Sequence, residues 1–320
     1  METYTQTDVE QMARVLTGWE SIYDPFDSLK RYSGPMVVSA WPPNRDAGQK
    51  TVLGKVFPAG QSAAKDLQDA VDLLMAHQNI GPFVALRLIQ HHVKSKPSPA
   101  YLGRVAAAFR NNGAGVAGDL KAVIKAVLLD PEARAGDDPA NARGDDGLIR
   151  EPVLHRMAVF RALGCVEAPF HVRGQYEYGV WSQMPWWADS VFSFYSPADR
   201  APGSNLLAPE QKLLNAAELT DRLGTFSYQR WNQALQTNDM RSYANAGCKT
   251  EALLKAFSQS SSAFSDYLSA AFFRGAMPPT LRANLAQVMR EPSWDTSTPE
   301  AGALFMLGYA LATPYFGTIQ

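Results

Sequence analysis

Residues 72–93 read D-L-L-M-A-H-Q-N-I-G-P-F-V-A-L-R-L-I-Q-H-H-V. Just upstream, Leu67, Ala70, Val71 and Leu74 recur at helical spacing and put an apolar stripe on one face. Pro82 suits a first helical position, where its missing N–H costs no bond, and Phe83, Leu86, Leu88 and Ile89 follow it. The stretch predicts two consecutive helices, with His77 and His91 flanking the turn between them.

The same period extends in both directions. Thr7 and Glu10 have capping-box spacing ahead of Val9, Met12, Ala13 and Leu16, and Gly18 supplies a stop. Ser98–Pro99 opens a helix carrying Leu102, Val105, Ala106 and Phe109, ended by N-N-G at 111–113. Leu120, Val123, Ile124, Val127 and Leu128 mark another, closed by Asp130–Pro131. Residues 134–148 are polar and rich in Gly, Asp and Pro, an exposed loop and the best boundary. A helix then runs from Glu151 to about Leu163. Residues 165–208 show no sustained period. Helices resume at 209–223, 226–236, 250–258, 261–273, 279–290 and 299–312, with Thr280, Thr298 and Pro299 as start signals. Strand signals are thin: Met36–Trp41 is expected to pair with Thr51–Phe57. The expectation is a mainly α, irregular multi-helix globule with a short β-hairpin near 36–57 and a long aromatic loop over 165–208. It divides into an N-terminal helical segment (residues 1–133), an exposed loop (134–149) and a C-terminal helical segment (150–320), packed as one unit.

The chain has 320 residues, 46% hydrophobic and 19% charged, enough for a sizeable core. A net charge of −1 gives no electrostatic reason to expect nucleic acid or an acidic membrane surface. No run of about 18 apolar residues is present, so no membrane span is expected. The start, M-E-T-Y-T-Q-T-D, lacks a basic segment followed by an apolar one and does not read as a secretory signal. Cys165 and Cys248 are the two cysteines; one bridge is possible, and sequence does not decide the pairing.

Candidate chemistry is sparse. Of the five histidines, adjacent His91 and His92 lie about 100° apart on a helix and cannot easily share an ion. No His or Cys spacing supports a metal, and no cofactor is expected. Asp46 and Lys50 flank a glycine in N-R-D-A-G-Q-K and read either as an acid/base pair or as an Asx-held turn with a solvated lysine. With His77 they are the catalytic candidates. The segment Tyr176–Tyr195 holds eight aromatics in twenty residues, where a chain average of 11% gives about two. Phe192 and Phe194 read as core. Trp181, Trp186 and Trp187, with Gln183 and Asp189, read as either packing or a ligand platform: indoles for stacking, amide and carboxylate for hydrogen bonds.

Several ordered blocks carry a resemblance. They are Y-T-Q-T-D-V-E-Q-M-A-R-V-L-T-G-W at 4–19, A-G-Q-K-T-V-L-G at 47–54, the run 72–93, E-P-V-L-H-R-M-A-V-F-R-A-L-G at 151–164, S-V-F-S-F-Y-S-P at 190–197 and A-L-A-T-P-Y-F-G-T-I-Q at the end. Together they resemble the bacterial family of unknown function numbered 1800. Its members usually carry a long N-terminal region with an export signal, so the chain resembles the C-terminal portion of a longer relative or a shortened one. The family often has His-Asp where Arg45–Asp46 stands, and His-Pro where His77–Gln78 stands. The resemblance implies a place in the periplasm or cell envelope, with a glycan or a sulfatase-like exported protein as partner. Three readings compete: a binding protein gripping a polymer or partner through the aromatic loop, a hydrolase acting on a polymer, and a shortened relative with no function of its own. Oligomeric state is open.

Overall fold

The computed structural model describes residues 3–21, 34–138, 141, 147–165, 183, 188–191, 193–224, 248–291 and 298–319. The architecture is mainly α with short two-stranded sheets. The chain divides into two compact units. One is Met1–Val84 with Arg110–Gly118; the other is Ala85–Phe109 with Asp119–Gln320.

In the first unit, α1 (Gln6–Val15) is closed by a capping box on Thr5 and Asp8. The Asp8 N–H donates to Thr5 Oγ1 at 3.2 Å, and the Thr5 N–H to Asp8 Oδ2 at 2.9 Å. The box therefore sits two residues before the expected Thr7–Glu10 pair. Asp8 Oδ1 also accepts the Leu53 N–H at 2.7 Å, a tertiary bond that local spacing does not reveal. Gly18 (φ +91°) ends the turn, and a Cβ there would come within 2.7 Å of Arg45 Cδ.

Val37–Val38 (β2) pairs antiparallel with Trp19–Glu20 (β1). The second pair joins β3 (Lys50–Val52) to β4 (Lys55–Phe57), so the hairpin falls within 50–57 and 36–41 finds another partner. Its turn, Leu53–Gly54, has positive φ at both residues (48° and 80°), the handedness that matches strand twist in a two-residue hairpin. Helix α2 (Ala63–Ala76) starts at Ser62, whose Oγ accepts the Lys65 N–H at 3.2 Å. Val15, Val52, Phe57 and Ala70 form a small core between α1, the hairpin and α2.

Helix α3 (Ile80–His92) starts two residues before Pro82, which occupies its first turn, where an N–H is dispensable. It enters the second unit at Ala85. There follow α4 (Pro99–Arg110), α5 (Leu120–Leu129), α6 (Pro131–Arg134), β5 (Leu148–Ile149), α7 (Pro152–Ala162) and α8 (Ala216–Gly224). After them come α9 (Glu251–Gln259), α10 (Ser261–Phe272), α11 (Pro279–Val288), α12 (Pro299–Leu311), α13 (Pro314–Gly317) and β6 (Thr318–Ile319). Thr298 caps α12 as its sequence signal suggested, accepting the Ala301 N–H at 3.1 Å. Strand β6 pairs antiparallel with β5. The expected helix at 226–236 lies outside the described residues.

The core of the second unit is organised around α12, which is buried on nearly every side. Leu304 and Leu307 meet Phe264 and Leu268 of α10, Leu281 and Leu285 of α11, and Val159 and Phe160 of α7 in one cluster. Burying a side chain of this size stabilises the fold by about 1.5–3 kcal/mol. Cys165 and Cys248 form a disulfide across a sequence separation of 83 residues. Beside it the Lys249 N–H donates to Leu163 O at 2.8 Å. This bridge closes a loop that contains the whole aromatic segment. Among the described residues, no helix is long and apolar enough to cross a membrane.

Candidate functional site

A cavity of about 490 Å³ opens in the second unit. Helix α3 supplies Arg87, Leu88, Gln90 and His91, which share one helical face. The aromatic segment supplies Ser190, Val191, Ser193 and Tyr195, and the 3₁₀ turn Pro209–Leu213 supplies Pro209 and Glu210. Ser193 holds φ +100°, an unfavourable value for a residue with a Cβ, in a turn where its N–H donates to Ser190 O at 3.2 Å.

Hydrogen bonds fix this wall from behind. Arg87 Nη1 donates to Gln90 Oε1 at 2.7 Å. Gln90 Nε2 donates to Ser95 O at 3.2 Å and Pro197 O at 3.1 Å, tying α3 to the end of the aromatic segment. The Tyr195 hydroxyl donates to Glu151 Oε1. Burial, and then the Glu151 carboxylate, push the phenol well above its usual range.

Glu210 is 1% exposed. Ser95 Oγ donates to its two oxygens at 2.8 and 3.0 Å, and no cation pairs with it among the described residues. Burial pushes its carboxyl up to about 7, opposed by its own backbone N–H and Ser95 and reinforced by the Glu151 charge. At neutral pH this group holds or releases a proton with little driving force either way, which suits both proton transfer and proton-linked binding.

The sequence candidates fall elsewhere or do other work. Asp46 accepts from Arg14 Nε at 2.7 Å and from the Gly48 N–H at 2.9 Å, the Asx-held turn of the plainer reading. The Arg14 hydrogen bond does most to hold its carboxyl down at about 2. Lys50 is sealed and donates to Asp66 Oδ2 at 2.9 Å, so its ion-pair partner is Asp66. Arg45 also donates to Asp66, and its other donors reach Val15 O, Thr17 O and Gln61 O. Burial pushes the Asp66 carboxyl up, but the Lys50 and Arg45 hydrogen bonds and charges outweigh it and leave the group below the usual range. His77 follows α2 as its C-cap, accepts the Asn79 N–H on Nδ1 at 3.2 Å, and lines a shallow groove with Tyr4, Leu74 and Phe83.

Of the expected platform, Gln183 is buried. Its Oε1 accepts the Val153 N–H at 3.1 Å and its Nε2 donates to Glu151, so it braces the start of α7. Asp189 is exposed, 4.0 Å from Lys212 Nζ. Trp181, Trp186 and Trp187 lie outside the described residues. His91 and His92 have ring centroids 6.1 Å apart and nearly perpendicular planes. Buried His155 bonds Leu311 O at 2.9 Å, and burial pushes its pKa down to about 3. Among the described residues, no three His, Cys, Asp or Glu side chains gather to hold a metal ion.

Sequence reading missed Arg87, Gln90 and Glu210. A signal for the last existed: Glu210 stands in L-L-A-P-E-Q-K-L-L, a lone acid amid apolar residues at a proline-opened turn. No curated protein and no solved structure matches the chain. One family model matches residues 1–318, and the chain belongs to that family, described as Protein of unknown function (DUF1800).

Proposed function

We propose that this protein binds a unit of an envelope or extracellular polymer, a glycan, in the cavity beside the aromatic segment. The carrying observation is the wall itself. Leu88, Val191, Pro209 and the Tyr195 ring offer apolar surface, and Arg87, Gln90 and Glu210 offer directional polar groups in a space of about 490 Å³. Concave apolar sites with a few fixed polar groups are the usual form of small-ligand sites. The Cys165–Cys248 bridge supports work in an oxidising compartment, such as the periplasm or cell envelope.

Calorimetric titration with neutral, acidic and amino oligosaccharides tests the reading. Binding should appear in the wild type and vanish in Leu88→Trp, which fills the cavity from α3. Binding that Leu88→Trp leaves intact, or none across the panel, would sink it. A second reading, polymer hydrolysis with Glu210 as proton donor, is favoured by the near-neutral titration of this carboxyl. It requires new reducing ends from a bound oligosaccharide, abolished in Glu210→Gln.

A further inference from the structure

We propose that the bound unit is anionic, a carboxylate-bearing sugar seated against Arg87 and His91, and that Glu210 is the neutral acid while it is bound. This rests on the cavity being the binding site. Among the described residues of the wall, Arg87 and His91 are basic and Glu210 and Tyr195 acidic. Behind them Ser95 and Glu151 face Glu210 and Tyr195. Arg87 is oriented by Gln90, itself anchored at Ser95 O and Pro197 O, so its guanidinium is held in place at the wall. An amine would be repelled by Arg87 in a space partly withdrawn from water, where charges interact strongly. A carboxylate would be attracted by Arg87 and repelled by Glu210 only while Glu210 is ionised. Binding therefore draws a proton from solvent onto Glu210 in those molecules where it is ionised, because its carboxyl titrates near neutrality. As a neutral acid it can also donate to a sugar oxygen.

The test compares trigalacturonate, its methyl ester and the chitosan trimer, titrated into the intact protein at pH 6 and pH 8. If the neutral Glu210 form is the binding form, affinity for trigalacturonate falls about tenfold from pH 6 to pH 8, the ratio of neutral fractions for a group titrating near 7. Glu210→Gln, close in shape, should bind about equally at both values. Arg87→Gln should lose the preference for acid over ester, with melting curves confirming that both variants fold. Ester or chitosan trimer binding as tightly as the acid would overturn the proposal, as would absence of binding by all three. A pH slope retained in Glu210→Gln would assign the proton to another group and overturn the role of Glu210. Ester or chitosan binding that Leu88→Trp abolishes would leave the cavity reading standing while this one fails. Acid binding indifferent to Leu88→Trp would overturn both.

Discussion

Two sealed carboxyls, one in each unit, behave in opposite ways. Asp66 has a side chain with no exposure and takes bonds from Lys50, Arg45 and Gln61. It is held ionised. Glu210, at 1% exposure, has Ser95 and its own backbone N–H as partners, and burial carries it toward neutrality. Burial alone therefore does not say what an acid will do; the partners do. Around Asp66 three side chains converge on one carboxylate and hold it in place, so the group is structural. Glu210 faces a cavity, so its remaining valence is available to something that enters.

The largest expected break in this contrast is Asp66→Ala. It strands the sealed Lys50 charge beside Arg45 and should cost about 3–5 kcal/mol, the range for breaking a buried pair, read by urea unfolding. A loss below about 1 kcal/mol, no more than an exposed pair is worth, would show that the cations find water. Next, replacing both Cys165 and Cys248 with serine should cost about 2–4 kcal/mol by freeing the loop that carries the cavity wall. Its melting transition should fall while the Asp66 region keeps its protection from hydrogen exchange.

Glu210→Gln should go the other way. The folded value of about 7 against an ordinary 4.5 means the folded state holds the proton more tightly, so this contribution is full below about pH 4.5 and lost as pH rises through about 7. Removing the titration should raise stability at pH 8 by up to about 3 kcal/mol, at 1.36 kcal/mol per unit, and flatten the profile between pH 5 and 8. Asp66 has the reverse sign: its folded value lies below 3.8, so its contribution is present above 3.8 and lost only as pH falls through the folded value. Acid unfolding of the wild type should begin below that point and shift upward in pH in Lys50→Met. Smallest of all, Arg14→Gln should leave the melting temperature unchanged within error, because its pair with Asp46 is open to solvent on both sides.

Much of the helical framework was legible. The extents of α4, α5, α7, α10 and α12 follow from apolar residues at 3.6 spacing bounded by Ser98, Asp130, Thr298 and the prolines, all signals carried within a few residues. The caps were harder. Thr5 wins over Thr7 because Asp8 is also bound by Leu53, 45 residues away. The site was barely legible. Asp46 and Lys50 attract notice by lying four apart, but β3 carries Lys50 to Asp66, which α2 brings in from 16 residues on. Ser95 and Glu210 meet across 115 residues.

The sequence by itself determined the helical class, the extents of several helices and the family, because these depend on periodicity and on contacts within one or two turns of chain. The tertiary structure alone decided which buried acid is paired and which faces open space. That difference depends on which distant donors arrive beside each carboxyl, and periodicity carries no record of it.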